Sequence, residues 1–268
     1  MGTNWLPYVS YSLWALFDSP VGRETSHCHT IRGFKKARNK EPQVKVLIER
    51  DTMPQQVGHL AQMIVFEYHQ CPAHVVSDGA QYEWIAQKIS LHDLPEDIQP
   101  RIETILKNYI QTPFLKAKDI VALSRGDEGF PKPIKLSHNH FYFNLYASFD
   151  CVVRESNGSI NIIDFKTGKS RFDRRQAFVY LLAARTQLDE KDISASFYNL
   201  ETQEYSGLIQ ATDTQLKAVE IELMRIAKKH QIEVRAFREN PQDFYSIYPP
   251  NINWQCERCH FRSVCDSQ

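Results

Sequence analysis

Two aspartates and a lysine have the clearest capacity for chemistry: Asp150, Asp164 and Lys166. Asp164 and Lys166 close the apolar run Ile162-Ile163-Asp164-Phe165-Lys166-Thr167-Gly168. Residues two apart on a strand share a face, so these two point the same way while Phe165 points into the opposite layer. An acid and a lysine on one face of an apolar strand are costly unless both are used or solvated. Paired carboxylates suit Mg²⁺ or Mn²⁺, a metal held there activates water and neutralises developing charge, and a lysine orients the nucleophile. Hydrolysis of a phosphodiester requires those parts. For a bare D-x-K, a strand-end salt bridge is the plain alternative.

Asp150 joins this face only if the hairpin register allows it. A two-residue turn at Asn157-Gly158 pairs Ser156 with Ser159 and sets Asp150 against Phe165, on the wrong face. A three- or five-residue loop around Gly158 pairs Ile160 with Ser156, or Asn161 with Glu155. Either places Asp150 opposite Lys166 and diagonal to Asp164, and a bulge has the same effect. The metal-site reading therefore predicts that the tidy two-residue hairpin is wrong.

The elements that must carry these residues follow from periodicity. Residues 9–18 read as a short helix that starts after Ser10 or Ser12 and stops before Pro20. A polar, basic stretch then runs to about Pro42. Residues 54–69 fit a helix with Val57, Leu60, Met63 and Ile64 on one face, and further helices fall within 79–111, the clearest over 96–110. Residues 141–153 are aromatic and β-branched, as strands are, and 160–166 is the returning strand. A helix follows over 173–186, a strand over 194–201 and a long helix over 212–230, capped by Thr212 or Asp213. This order implies an α/β fold of 268 residues in one domain, with 72–140 as a mainly helical insertion.

The strand ending IIDFKTG, with an acid about fourteen residues earlier, resembles the RecB-like branch of the PD-(D/E)xK nucleases. That branch also has Gln-x-x-x-Tyr on the next helix, and here Gln176 and Tyr180 stand four apart, on one helical face. The resemblance implies a restriction-endonuclease-like mixed sheet flanked by helices. It also implies that Asp150 and Asp164 hold the metal, helped by the backbone carbonyl of Phe165 and by a histidine on an early helix. His59, after Gly58, is the candidate, although the family's glycine lies further upstream. Gln176 and Tyr180 would contact DNA or position the lysine. Ala147 stands where the family often has glycine. By resemblance alone, the activity is that of an exonuclease on single-stranded DNA, in repair, recombination or CRISPR adaptation, with possible protein partners.

The C-terminus, residues 244–268, carries Cys256-Glu-Arg-Cys259-His-Phe-Arg-Ser-Val-Cys265, a C-x2-C-x5-C arrangement. Two thiolates separated by two residues can grip one metal centre from a single turn. The tail resembles RecB-like nucleases with a 4Fe–4S cluster, among them CRISPR-associated exonucleases and nuclease subunits of recombination helicases. There the fourth cysteine lies near the N-terminus and pins the chain ends together. Here Phe17-Asp18-Ser19-Pro20 has serine at that position, and Cys28 is the candidate substitute. Cys71-Pro72 has the right dipeptide in the wrong order. Zinc on three thiolates with His260, His27 or His29 is the alternative, and unligated cysteines are the bland one. Cys151 reads as a buried small hydrophobe.

Charge narrows the classes further. Lys+Arg and Asp+Glu both number 32, so a DNA binder must concentrate its basic residues locally. Lys169, Arg171, Arg174 and Arg175, beside Lys166, form the best such run and are the candidate phosphate contacts. Lys35, Lys36, Arg38 and Lys40 form a second, and either run also fits a solvated face. No apolar run approaches the ~18 residues that span a bilayer, and no secretory pattern opens the chain, so a cytoplasmic protein without membrane partners is expected. A catalytically inactive DNA-binding module and a protein adaptor in such a complex are the rival readings.

Overall fold

Strand pairing sorts the chain into two sheets. The computed structural model describes residues 6–19, 27–72, 77–169, 172–188, 190 and 192–266. One sheet has the order β1 (Tyr8–Ser10), β4 (Phe141–Tyr146), β3 (Ile134–His138), with β1 parallel and β3 antiparallel to β4. The other has the order β2 (Asp119–Leu123), β5 (Cys151–Arg154), β6 (Ile160–Lys166), β7 (Ile193–Asn199). In it β2, β5 and β6 are antiparallel neighbours, and β7 runs parallel to β6. Both sheets are mixed and flanked by helices, the α/β class that the sequence implies.

Contacts divide the chain into two compact units: Thr52–Lys132 with Ala147–Leu216, and Met1–Asp51 with Pro133–Tyr146 and Lys217–Gln268. The first holds the β2–β5–β6–β7 sheet and the helices α4 (Met53–Gln70), α5 (Asp78–Lys88), α6 (Gln99–Gln111) and α7 (Arg174–Gln187). Helix α4 opens at Thr52, whose N–H donates to the Gln55 side chain at 3.0 Å, with Pro54 in the first turn. Its apolar stripe, Val57, Ala61, Ile64 and Val65, joins Ile102, Ile105 and Leu106 of α6 against Cys151, Val153 and Ile163 of the sheet, with Phe165 at the edge of that core. Strand β7 is buried along its whole length, as a parallel strand covered on both faces must be.

The second unit rests on α1 (Tyr11–Phe17), α2 (His29–Lys36), α3 (Pro42–Glu49) and α9 (Phe244–Ile247), with most of α8 (Asp213–Glu239). Its centre is an ion pair, Arg32 with Glu233, bonded Nε–Oε2 at 3.0 Å and Nη2–Oε1 at 2.9 Å, with Arg32 1% exposed. Arg32 Nη1 also reaches the Leu16 carbonyl at 2.9 Å and His29 Nδ1 at 2.7 Å, and the Phe17 ring lies 4.0 Å from the guanidinium. Beside it Phe34, Val44, Phe244, Tyr248 and Phe261 form a small, largely aromatic core. Gly33 is required there, because a Cβ would stand 2.7 Å from both the Phe244 and Tyr248 rings.

The hairpin decides the register at Asp150. Glu155 N–H donates to the Ser159 carbonyl at 2.8 Å, Gly158 N–H returns to Glu155 at 2.8 Å, and Gly158 has φ +86°. The loop is therefore Ser156-Asn157-Gly158, and the two-residue turn does not form. Cys151 faces Ile163 and Val153 faces Asn161, so one further step sets Asp150 level with Asp164. The expected partner was Lys166. The loop closes on Glu155–Ser159 rather than Ser156–Ile160, and the shift of two in register leaves Asp150 on the same face.

Other elements differ from expectation. The single strand expected over 141–153 is broken at 147–150 into β4 and β5, which belong to different sheets. The 72–140 stretch carries β2 and β3 as well as helices. Helices α2 and α3 occupy what reads as a polar stretch, because α2 buries Thr30 and Arg32 alongside Gly33 and Phe34, and polar residues on a buried face mask the period.

Candidate active site and the cysteine-rich segment

The end of β6 presents Asp164, buried at 3% exposure, and the half-buried Lys166 on the face covered by α7. Helix α7 starts where the Asp173 side chain accepts the Arg175 N–H at 3.0 Å, which places Gln176 and Tyr180 one turn apart over that face. Tyr180 Oη donates to Asp164 Oδ1 at 2.6 Å, and Gln176 Nε2 donates to the same oxygen at 2.7 Å. Gln176 Oε1 accepts from Lys166 Nζ at 2.9 Å, so one amide holds both the acid and the lysine. Asp150 Oδ2 accepts the Phe165 N–H at 2.8 Å, which ties the second carboxylate to the strand itself. The structure thus brings together Asp150, Asp164, Lys166, Gln176 and Tyr180, the five residues singled out from the sequence.

The electrostatics leave this pocket short of positive charge. Burial, and then the charge of Asp164, push the Asp150 carboxyl well above the ordinary carboxylate range. Burial, followed by the charges of Asp164 and Asp150, also raises the Tyr180 phenol, which therefore remains a donor. Asp164 Oδ2 is buried and ion-paired with the Lys166 ammonium at 2.5 Å. The neighbouring Asp150 and Asp164 carboxylates are a hard-oxygen donor set, and their chemistry fits a divalent cation such as Mg²⁺ or Mn²⁺.

His59 does not join them. It lies exposed on α4, beside the loop at Gly126, where a Cβ would meet its Nδ1 at 3.3 Å. Among the described residues, no group of three or more His, Cys, Asp or Glu is arranged to hold a metal ion.

Of the basic run, Lys169 and Arg174 are exposed. Arg175 is instead committed to Asp173, with Nη2–Oδ2 at 2.6 Å and Nε–Oδ2 at 3.0 Å. Arg171 lies outside the described residues.

Sequence reading missed Asn199, Glu201 and Arg101. Glu201 Oε2 accepts the Gly168 N–H at 2.6 Å and is paired with Arg101 at 2.8 Å, while Asn199 Nδ2 donates to the Gly168 carbonyl at 2.7 Å. The available signal was the polar Asn199-Leu-Glu201 closing an otherwise buried strand that runs parallel to β6.

The cysteine-rich segment gathers around the small core of the other unit. Cys256 sits in the 3-10 turn Trp254–Arg258, and Cys259 and Cys265 pack against the Phe34–Phe261 core. Asn251 N–H donates to Cys28 Sγ at 3.5 Å, Asn253 N–H donates to Cys256 Sγ at 3.5 Å, and Cys256 Sγ faces the Asn251 carbonyl at 3.9 Å. Burial, and then the charges of Cys28, Cys265 and Cys256, raise the Cys259 thiol. None of the six cysteines is in a disulfide. Thiols are the ligand type that zinc or an iron–sulfur cluster takes, but among the described residues these cysteines are not arranged as a group that would hold a metal.

Among protein families, the model of the PD-(D/E)XK nuclease superfamily matches residues 38–266. Among solved structures, the chain is similar to one titled "Crystal structure of SSO0001", at 15% identity over 76% of this chain and 84% of that chain, with a TM-score of 0.30. Comparison with curated proteins returned no match.

Proposed function

Since the chain belongs to the PD-(D/E)XK nuclease superfamily, we propose that it is a divalent-metal-dependent deoxyribonuclease acting from Asp150, Asp164 and Lys166. The observation that carries this reading is the closed network in which Gln176 and Tyr180 hold Asp164 while Gln176 also holds Lys166, beside an Asp150 whose carboxyl is raised by burial and then by the charge of Asp164. Asp150 and Asp164, with the Phe165 carbonyl as a further oxygen, would hold Mg²⁺ or Mn²⁺, which supplies Lewis-acid charge compensation at the scissile phosphate. Lys166 brings an oriented ammonium to the attacking water and to the charge that develops on the phosphate. Tyr180, kept protonated by burial, fixes Asp164 in one rotamer, and Gln176 sets the reach of the lysine. Lys169 and Arg174, both exposed beside the site, would meet the substrate backbone.

Single-stranded DNA attacked from an end, in repair, recombination or CRISPR adaptation, is the substrate and setting that the RecB-like motifs favour. A 4Fe–4S cluster on Cys28, Cys256, Cys259 and Cys265 is proposed as a structural centre, with Zn²⁺ as the alternative. The N–H groups on two of the sulfurs, and the packing of Cys259 and Cys265 against one small core, support it. Among the described residues, no helix is long and apolar enough to cross a membrane.

The deciding experiment is cleavage of end-labelled single- and double-stranded DNA by anaerobically purified protein with Mn²⁺, Mg²⁺ or EDTA, beside Lys166→Ala. Cleavage that needs the metal and disappears in the variant supports the enzyme. DNA binding without cleavage by a folded wild type points instead to a non-catalytic module.

A further inference from the structure

The strand end that carries Lys166 does not run free into the following loop. The Lys166 carbonyl accepts the Leu200 N–H at 2.8 Å. Two residues on, Gly168 adopts φ +77°, a left-handed conformation that suits glycine. Both of its backbone polar groups are taken by side chains from the end of β7 and the turn after it: the N–H by Glu201 Oε2 at 2.6 Å, and the carbonyl by Asn199 Nδ2 at 2.7 Å. Asn199 is itself locked, 2% exposed, with Oδ1 accepting the N–H groups of Glu201 at 2.9 Å and Thr202 at 3.1 Å.

Glu201 is held from behind by α6. Arg101 grips its carboxylate in a fork, Nε–Oε1 at 3.1 Å and Nη2–Oε2 at 2.8 Å, and Asn108 Nδ2 reaches the Glu201 carbonyl at 3.2 Å. Arg101 and Asn108 thus give α6, which presents none of the candidate site residues itself, a direct line to the strand end. An ion pair as open to solvent as Arg101–Glu201 contributes little to stability, so its geometry matters more than its strength. A charge-assisted bond to a backbone N–H fixes that N–H more firmly than a neutral one does.

We propose that Glu201 is a positioning residue: with Asn199 it clamps Gly168, and thereby sets the aim of Lys166 and the departure of the basic segment that begins at Lys169. The inference rests on the nuclease reading of Lys166. A misplacement of about 1 Å at a reacting group costs about a hundredfold in rate, which is the scale on which the clamp acts.

The test uses the full chain on end-labelled single-stranded DNA with Mn²⁺, comparing Glu201→Ala, Glu201→Gln and Arg101→Met. Glu201→Ala should lower kcat about ten- to a hundredfold, while KM stays within about twofold. Glu201→Gln keeps an oxygen for the Gly168 N–H and should recover most of that loss. Arg101→Met leaves the carboxylate in place but unheld, and should lower kcat about threefold. It also serves as the working variant if Glu201→Ala does not fold. Hydrogen exchange of the Gly168 amide should quicken in Glu201→Ala and not in Glu201→Gln. Equal kcat losses in the Ala and Gln variants, a loss matched by a fall in Tm, or unchanged Gly168 exchange in the Ala variant would overturn the clamp. An inactive wild type would instead remove the nuclease reading, and the positioning role with it.

Discussion

The aspartate–lysine site gathers residues from one short stretch of the chain, the cysteine-rich segment faces a cysteine from its far end, and the two are organised by different means. In the first, strand parity and the helical i,i+4 relation aim the side chains, and directed bonds of 2.6 to 2.9 Å hold them. In the second, thiols come from the start of one helix and from short 3-10 turns, and the bonds to sulfur are at 3.5 Å. Sulfur is a weak hydrogen-bond partner, and neighbouring thiolates repel, so that segment leans on the small aromatic core beside it. A site of oxygen and nitrogen groups can be organised by the fold itself, whereas a site of thiols is completed by what binds to it.

That contrast can be broken or sharpened by perturbing one region at a time. The largest effect is expected from Asp164→Asn, which should reduce metal-dependent cleavage by about 10³ or more while leaving the iron or zinc content of the protein unchanged. Cys259→Ser should do the reverse to that content, and its elemental analysis is the matching readout. If each variant abolished both properties, the separation of the two regions would be wrong.

Next in size is Arg32→Met, which leaves Glu233 as an unpaired charge in the unit that carries the thiols. Breaking a buried pair in this way costs about 3–5 kcal/mol, to be read from denaturant midpoints. A loss below about 1 kcal/mol would show that the pair does not organise that unit.

The smallest effect is a pH dependence in the same unit. Burial, then the charges of Lys36 and Arg32, lower His230 from its ordinary 6.5 to about 4. Because its folded value lies below its unfolded one, its stabilising share is complete above pH 6.5 and is lost as the pH falls toward 4. The share is at most about 3 kcal/mol. Unfolding midpoints at pH 7 and pH 4.5 should therefore differ by less in His230→Gln than in the parent, and an unchanged difference would remove His230 from the account.

Much of the candidate site was legible because its signals are local. Asp164 and Lys166 share a face by the period of a strand, and Gln176 and Tyr180 share one by the period of a helix. Even the exclusion of the two-residue hairpin followed from parity once Asp150 was taken to share the face of Asp164. His59 illustrates the opposite case: nothing local to α4 says which distant segment its N-terminal turns meet, and His59 comes to lie beside Gly126. The break between β4 and β5 was equally hidden, because Phe141 to Val153 is aromatic and β-branched on both sides of it. Arg175 read as a phosphate contact, yet its own helix cap, Asp173, claims it.

The sequence by itself determined the strand that carries Asp164 and Lys166, the helix that covers them, and the donor types available at both sites, because these depend on residue type and on spacing over a few positions. Only the tertiary structure decided that Asp150 stands level with Asp164, and that Asn199, Glu201 and Arg101 converge on Gly168. Those outcomes depend on a hairpin closing at one pair rather than the next, and on a parallel neighbour and a distant helix arriving at the same strand end. Such meetings between segments far apart in the chain leave no periodic trace in it.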